Sequence, residues 1–190
     1  GLPVNNSAEV TRRLAVLLRE AAPDGKTHVK MCILPVVYDR AARVALDCIG
    51  NEKPDLVLSF GAGSCEIDFE TVAKNHDNTS AADNAGELRD QNLPIIAGAP
   101  EAIRLNAPMH ALYLNAPHRG TLVRLSKDAG AYVCNNTAYW LAHEFAVPGS
   151  TTRFGFIHVP PTTCAPVTRD PDMLAHTVFR AIRSVMPELF

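Results

Sequence analysis

A single cysteine lies where a strand-like pattern gives way to a helical one, in the stretch AGAYVCNNTAYWLAHEF (residues 129–145). The helical part carries apolar residues at three- and four-residue intervals, which places Cys134 at, or just before, a helix N-terminus. Unpaired amide groups and the positive end of the helix dipole favour a thiolate there, and the same amides can hold an oxyanion. The alternative, a buried cysteine that only packs, stays open.

A cysteine nucleophile needs a base, and His158 is the strongest candidate among the seven histidines. It ends the apolar strand pattern RFGFIHV and precedes two prolines. In parallel α/β sheets, active sites are built at the carboxyl ends of strands. The other histidines suit surface positions better: His28, His76, His110, His118, His143 and His176. A strand-end histidine that bonds only to backbone is the alternative for His158.

Three acids follow a glycine-containing loop in GAGSCEIDFE and are candidates to orient the base. They are Glu66, Asp68 and Glu70, and their spacing does not choose among them. The loop lacks the lysine and the spacing of a P-loop, so a phosphate site is not supported.

Composition limits the class of protein to which the chain belongs. The 190 residues, 47% of them hydrophobic, with a net charge of −2, predict one soluble globular domain, residues 1–190. The sequence has no stretch that combines basic and aromatic residues, so nucleic-acid binding is not predicted. No apolar run is long enough to cross a membrane. Five cysteines without a C-x-x-C pair predict free thiols and a cytoplasmic location.

Helical and strand patterns alternate along the chain. Helices are predicted near 7–21, 39–49, 136–146 and 171–186, and strands near 29–35, 55–60, 121–126 and 153–159. Residues 76–100 are polar and rich in turn residues, which predicts a long functional or mobile loop. The alternation favours a three-layer α/β/α sandwich. The chain opens on a helix pattern, so the sheet either lacks its usual first strand or that strand lies upstream.

The motifs AGAYVCN and GFIHVPP resemble those of the pyroglutamyl peptidase I (pyrrolidone-carboxylate peptidase) family of cysteine peptidases. The resemblance extends through PDLVLSFGAG, IDFETVAKN and ADNAG, over residues 3–161. It implies an α/β/α sandwich around a twisted, mixed, mostly parallel sheet. It also implies a peptide substrate with an N-terminal pyroglutamate, no metal and no cofactor, and a possible homo-oligomer.

The same resemblance implies roles for individual residues. Cys134 takes the place of the nucleophile, His158 that of the general base and Glu70 that of the orienting acid. The substrate-binding positions are Tyr132 and Val133, whose main-chain groups hold the lactam ring, and Ala62.

The chain departs from the family pattern at three places. The opening strand, with its Gly-Phe-(Asp/Glu)-Pro-Phe motif, is expected before residue 1. Ala62 stands where bacterial relatives commonly carry glutamine, and Ser80 where many carry arginine or lysine. These departures leave two alternatives open: a relative with a different acyl specificity, and a non-catalytic or truncated homologue that serves as a binding or assembly subunit. A nucleoside-phosphorylase-like enzyme on a related fold is a third alternative, but it would need a phosphate site, and the sequence shows no convincing one.

Overall fold

The computed structural model describes residues 5–22 and 27–190. In these residues the chain forms the following helices: α1 (Asn6–Glu20), α2 (Arg40–Ile49), α3 (Met109–Asn115), α4 (Val133–Phe145), α5 (Pro171–Val185) and a 3-10 turn (Pro187–Leu189). The strands are β1 (Leu56–Ala62), β2 (Ile67–Glu70), β3 (Val72–Lys74), β4 (Ala102–Arg104), β5 (Val123–Ser126) and β6 (Arg153–Val159).

Four of the strands form the central sheet, in the order β1-β6-β2-β5. β1 pairs with β6 in parallel and β2 with β5 in parallel, whereas β2 and β6 are antiparallel. The sheet is therefore mixed and mostly parallel, as predicted. β3 and β4 form a separate two-stranded antiparallel sheet.

Helices cover both faces of the central sheet. α1 and α3 pack with α5 on one face, and α4 packs with α2 and against β6 on the other. The buried apolar residues of these layers form one large core cluster, which includes Phe69 of β2, Phe154 of β6 and Leu141 of α4. The predicted three-layer α/β/α sandwich is confirmed.

The ends of the long helices follow from their capping residues. Asn5 caps α1 by accepting a hydrogen bond from the amide of Ser7 at 3.1 Å, so the helix begins just before the predicted cap, Ser7. Asp170 caps α5 in the same way, and Pro171 occupies the first helical position. The predicted stop of the first helix at residues 23–25 lies outside the described residues.

The predicted strand near 29–35 is wrong: the structure assigns no strand to this segment. The apolar alternation is present, but no neighbouring strand of the described residues forms a ladder with it, and alternation alone does not make a strand. The loss of the family's first strand, expected before residue 1, stays a prediction. Among the described residues, no helix has the length and apolar character needed to span a bilayer.

The prediction of five free thiols is also wrong. Cys32 is bonded to Cys48, and Cys65 is bonded to Cys164, with Cα–Cα distances of 6.4 and 5.6 Å. Among the residues that the structure describes, Cys134 is the one free cysteine.

Candidate active site

Cys134 lies in the first turn of α4, as predicted. A turn after β5 delivers the chain there: Asp128 accepts a hydrogen bond from the amide of Gly130 at 3.1 Å, and Gly130 has a φ of 80°. Tyr132 is the N-cap and provides no side-chain cap. The first amide groups of the helix therefore have no intrahelical acceptor and no capping side chain, which suits an anion beside Cys134.

His158 lies near the carboxyl end of β6 and is 7% exposed. Its Nδ1 is 2.8 Å from Oε1 of Glu70, which is 1% exposed. Because the carboxylate is the acceptor, Nδ1 carries the hydrogen and Nε2 is left to face another group. Glu70 therefore fixes the tautomer of the imidazole.

The sulfur of Cys134 and the imidazole of His158 flank the same glycine. A Cβ atom at Gly61 would lie 2.8 Å from Cys134 Sγ and 3.1 Å from His158 Cδ2. Gly63 is tighter still, since a Cβ atom there would lie 2.7 Å from His158 Cγ. Neither glycine was predicted to have a role in the site. The GAG motif that contains both glycines provides space for the imidazole.

The pKa of His158 reflects these neighbours. Burial of the imidazole by itself lowers the pKa of His158, but the hydrogen bonds and charges of Cys134 and Glu70 outweigh that effect and raise the pKa to about 10. The site therefore stabilises an imidazolium between a sulfur and a carboxylate.

The structure separates the three candidate acids. Asp68 is directly opposite His158 in the β2–β6 ladder, yet its carboxylate binds Arg124 on β5 at 2.9 Å. Glu66 binds the same guanidinium at 2.7 Å. Glu70, which is diagonal to His158 across the ladder, is the acid that reaches the imidazole.

The predicted substrate-binding residues lie around this group. The Tyr132 hydroxyl donates to the carbonyl of Ala82 at 2.9 Å, and its ring meets the edge of Tyr38 at 5.6 Å between centroids. Val133 is buried in the first turn of α4. Ala62 ends β1 beside Val159, the residue that follows His158, and is exposed.

Asn135 is a residue whose importance the sequence did not reveal. It is fully buried, and its side-chain oxygen accepts from the amide of Lys74 at 2.9 Å. Its side-chain amide donates to the carbonyls of Lys74 and His76 at 2.8 and 2.9 Å. These bonds tie the start of α4, and so Cys134, to β3.

Asn136, the next residue of α4, begins a second network. Its side chain bonds to the carboxylates of Asp39 and Asp77 at 3.1 and 2.8 Å. Arg89 binds both aspartates, at 2.6 and 2.8 Å, and the indole of Trp140 donates to Asp39 at 2.9 Å. The network joins α4, the start of α2 and the 76–100 segment, and only the paired asparagines of CNN hinted at it.

Comparisons with known proteins show the family to which the chain is similar. The family model described as pyroglutamyl peptidase matches residues 2–187. The chain is 34% identical to pyrrolidone-carboxylate peptidase 1 of Ralstonia nicotianae, over 95% of this chain and 83% of that protein. It is 32% identical to the pyrrolidone-carboxylate peptidase of Vibrio vulnificus, over 98% of this chain and 85% of that protein.

Two solved structures share the fold. The crystal structure of pyroglutamyl peptidase I from Bacillus amyloliquefaciens superposes with a TM-score of 0.76 at 26% identity, over 94% of this chain and 88% of that chain. A mutant pyrrolidone carboxyl peptidase from Pyrococcus furiosus superposes with a TM-score of 0.75 at 26% identity, over 100% of this chain and 94% of that chain.

Proposed function

The chain belongs to the pyroglutamyl peptidase family of cysteine peptidases, and from that premise we propose that it releases N-terminal pyroglutamate from peptides through a thioester. Cys134 is the nucleophile, His158 the general base and Glu70 the carboxylate that orients the base. The observation that carries the proposal is the convergence of these three side chains from α4, β6 and β2.

Acylation begins from the pair in which the proton of the Cys134 thiol has already passed to Nε2 of His158, as the raised pKa of His158 favours. The sulfur attacks the carbonyl carbon of the pyroglutamyl residue, and the first amides of α4 receive the oxyanion. The C–N bond then breaks, and the imidazolium gives its proton to the leaving amine. Glu70 stabilises the imidazolium throughout because its carboxylate stays on Nδ1.

Deacylation reuses the same groups. His158 takes a proton from water, the hydroxide attacks the thioester carbonyl, and the C–S bond breaks. Pyroglutamate leaves, and Cys134 and His158 again share one proton, which stays on the imidazole.

Recognition of the lactam ring belongs to Tyr132, Val133 and Ala62. Two contacts support Tyr132 as a fixed pocket wall: its hydroxyl is held by Ala82 and its ring by Tyr38. The main-chain groups of Val133 adjoin Cys134, which supports their proposed role in binding the polar edge of the ring.

Hydrolysis of a pyroglutamyl-arylamide tests the proposal. We expect turnover by the wild-type chain and none by Cys134→Ala, because the substitution removes the nucleophile. Iodoacetamide is expected to label Cys134 alone in the unreduced protein, as the other four cysteines are paired. Wild-type turnover no better than that of Cys134→Ala would reject the proposal.

A relative that prefers another acyl group is the second candidate, favoured by the small side chains of Ala62 and Ser80. A panel of acyl-arylamides separates the two. The proposed activity requires pyroglutamyl to exceed prolyl, which has the same ring without its carbonyl, and the second candidate requires a different acyl group to exceed both.

A further inference from the structure

The connection between β1 and β2, residues 63–66, crosses the end of the strand that carries His158. β6 lies between β1 and β2 in the sheet, so the chain has to pass over its carboxyl end to go from one to the other. The amide of Gly63 donates to the carbonyl of Val159 at 3.0 Å. A Cβ atom at Gly63 would lie 2.7 Å from His158 Cγ, so the backbone of the β1–β2 connection lies close to the imidazole itself.

A disulfide closes this crossing. Cys65 belongs to the β1–β2 connection, and Cys164 belongs to the segment that leaves β6 after His158. Among the described residues, the bond from Gly63 to Val159 is the hydrogen bond that joins the connection to residues 159–170. The disulfide is therefore the second link between the two segments, and it is covalent.

The other contacts of the β1–β2 connection run toward β2 and β5. Ser64 donates to Asp68 at 2.7 Å, and Glu66 pairs with Arg124 at 2.7 Å. They hold the end of the connection that leads into β2. The side that faces residues 159–170 is held by the disulfide and by the hydrogen bond from Gly63 to Val159.

We propose that the Cys65–Cys164 disulfide is a positioning element of the active site, which holds the β1–β2 connection against His158 and makes turnover depend on the oxidised state. The inference rests on the proposed function, since it assigns the disulfide a role in that same reaction. A cysteine peptidase without such a disulfide keeps its activity in a thiol reductant. This chain is predicted to lose activity there.

The reducing step is a two-electron exchange with a dithiol such as dithiothreitol. Cys65 is exposed whereas Cys164 is 5% exposed, so the dithiol thiolate attacks the Cys65 sulfur. A bond forms between the two sulfurs, the protein S–S bond breaks, and Cys164 leaves as a thiolate that takes a proton. The second thiol of the reductant then displaces Cys65, so the dithiol is oxidised to its cyclic disulfide and the protein gains two thiols.

The experiment uses the full chain carrying Cys32→Ser and Cys48→Ser, so that one disulfide remains. This background also serves as the control, because its removed disulfide joins α2 to the segment before it and neither of its cysteines belongs to the proposed catalytic or substrate-binding residues. We expect it to keep wild-type kcat. Adding Cys65→Ser and Cys164→Ser is expected to lower kcat about tenfold or more, with a smaller change in KM, because displacement of a catalytic group acts on the chemical step.

A purely structural disulfide would change the melting temperature and leave kcat and the imidazole of His158 as they were. The distinguishing readout is the NMR titration of His158, whose midpoint is expected to fall once the connection no longer holds the ring beside Glu70. Equal kcat and an equal His158 midpoint with and without the disulfide would overturn the proposal.

Two further arms keep the test decisive. If the quadruple variant does not fold, the background protein is reduced with dithiothreitol, assayed and reoxidised with oxidised glutathione; kcat has to fall and return. If the wild-type chain hydrolyses no pyroglutamyl substrate, the proposed function fails, but the His158 titration in oxidised and reduced protein still decides whether the disulfide positions the imidazole.

Discussion

At the scale of single residues, the site depends on which carboxylate reaches the imidazole. Asp68 and Glu70 lie two residues apart on β2 and point to the same face of the sheet. Arg124, on β5, takes the carboxylate of Asp68 and leaves Glu70 for His158. Local sequence could not predict this choice, since it is made by a cation 56 positions away from Asp68.

Glu70→Gln is expected to lower the pKa of His158 from about 10 toward its ordinary value. The amide of glutamine carries no charge, so it no longer stabilises the imidazolium. Histidine NMR titration measures the shift, and the signals of the other six histidines are the internal control. We expect kcat to fall by about a hundredfold or more in parallel. A His158 titration that does not move would show that Glu70 does not set its charge.

At the scale of elements, the segments with a clear apolar pattern were predictable and several short ones were not. Helices α1, α2, α4 and α5 and strands β1, β5 and β6 match predicted segments. β2 was missed because IDFE places two carboxylates in a strand whose residues are all buried, a combination that simple alternation does not describe. The segment near 29–35 shows the reverse, an apolar alternation without a strand.

Gly63→Ala tests the close approach between the β1–β2 connection and β6. The added Cβ atom would lie 2.7 Å from His158 Cγ, so the imidazole has to move. We expect kcat to fall by about tenfold to a hundredfold.

The matched control for that change is Gly98→Ala. Gly98 has a φ of 76° and no heavy atom within 4 Å of an added Cβ, so the substitution costs about 1–2 kcal/mol of backbone strain without touching the site. It should lower the melting temperature and keep kcat. A Gly63→Ala enzyme as active as Gly98→Ala would contradict the packing argument.

Asn135→Ala tests how α4 is held to β3. The substitution leaves one amide and two carbonyls without their partner, at a cost of about 1–3 kcal/mol for each group that stays buried. We expect a loss of at least about 2 kcal/mol in the free energy of unfolding, measured in urea. Asn115→Ala, at an exposed helix end, is the control and should change it by less than about 0.5 kcal/mol. Equal losses in both variants would contradict the assigned role.

At the scale of the whole molecule, stability and chemistry are coupled through the proton on His158. In the folded state the imidazole keeps its proton up to about pH 10, whereas an ordinary histidine releases it near 6.5. The folded state therefore binds more protons between these values, and the contribution to stability is full below pH 6.5 and lost as the pH rises to about 10.

Urea unfolding at several pH values between 6.5 and 10 measures this contribution. The free energy of unfolding is expected to fall more steeply with rising pH in the wild type than in Glu70→Gln, because the variant lacks the carboxylate that holds the proton. Parallel profiles would mean that the His158–Glu70 pair does not contribute to stability in this range.

The cysteines show what a sequence leaves undetermined at this scale. Cys65 and Cys164 are 99 positions apart, and only the placement of β6 between β1 and β2 brings them together. Two disulfides are typical of proteins from oxidising compartments. The cytoplasmic location was predicted from free thiols and has lost that basis; it stays a prediction, as does the homo-oligomer.

The order of the sheet also governs when the enzyme can exist during its own synthesis. β1 ends at Ala62 and β2 begins at Ile67, but the strand between them starts only at Arg153. A nascent chain emerging from the ribosome contains both neighbours of β6 long before β6 itself. Its central sheet cannot be completed until β6 has been synthesised. His158 arrives with that last strand, so no ribosome-bound fragment ending before it can cleave a peptide.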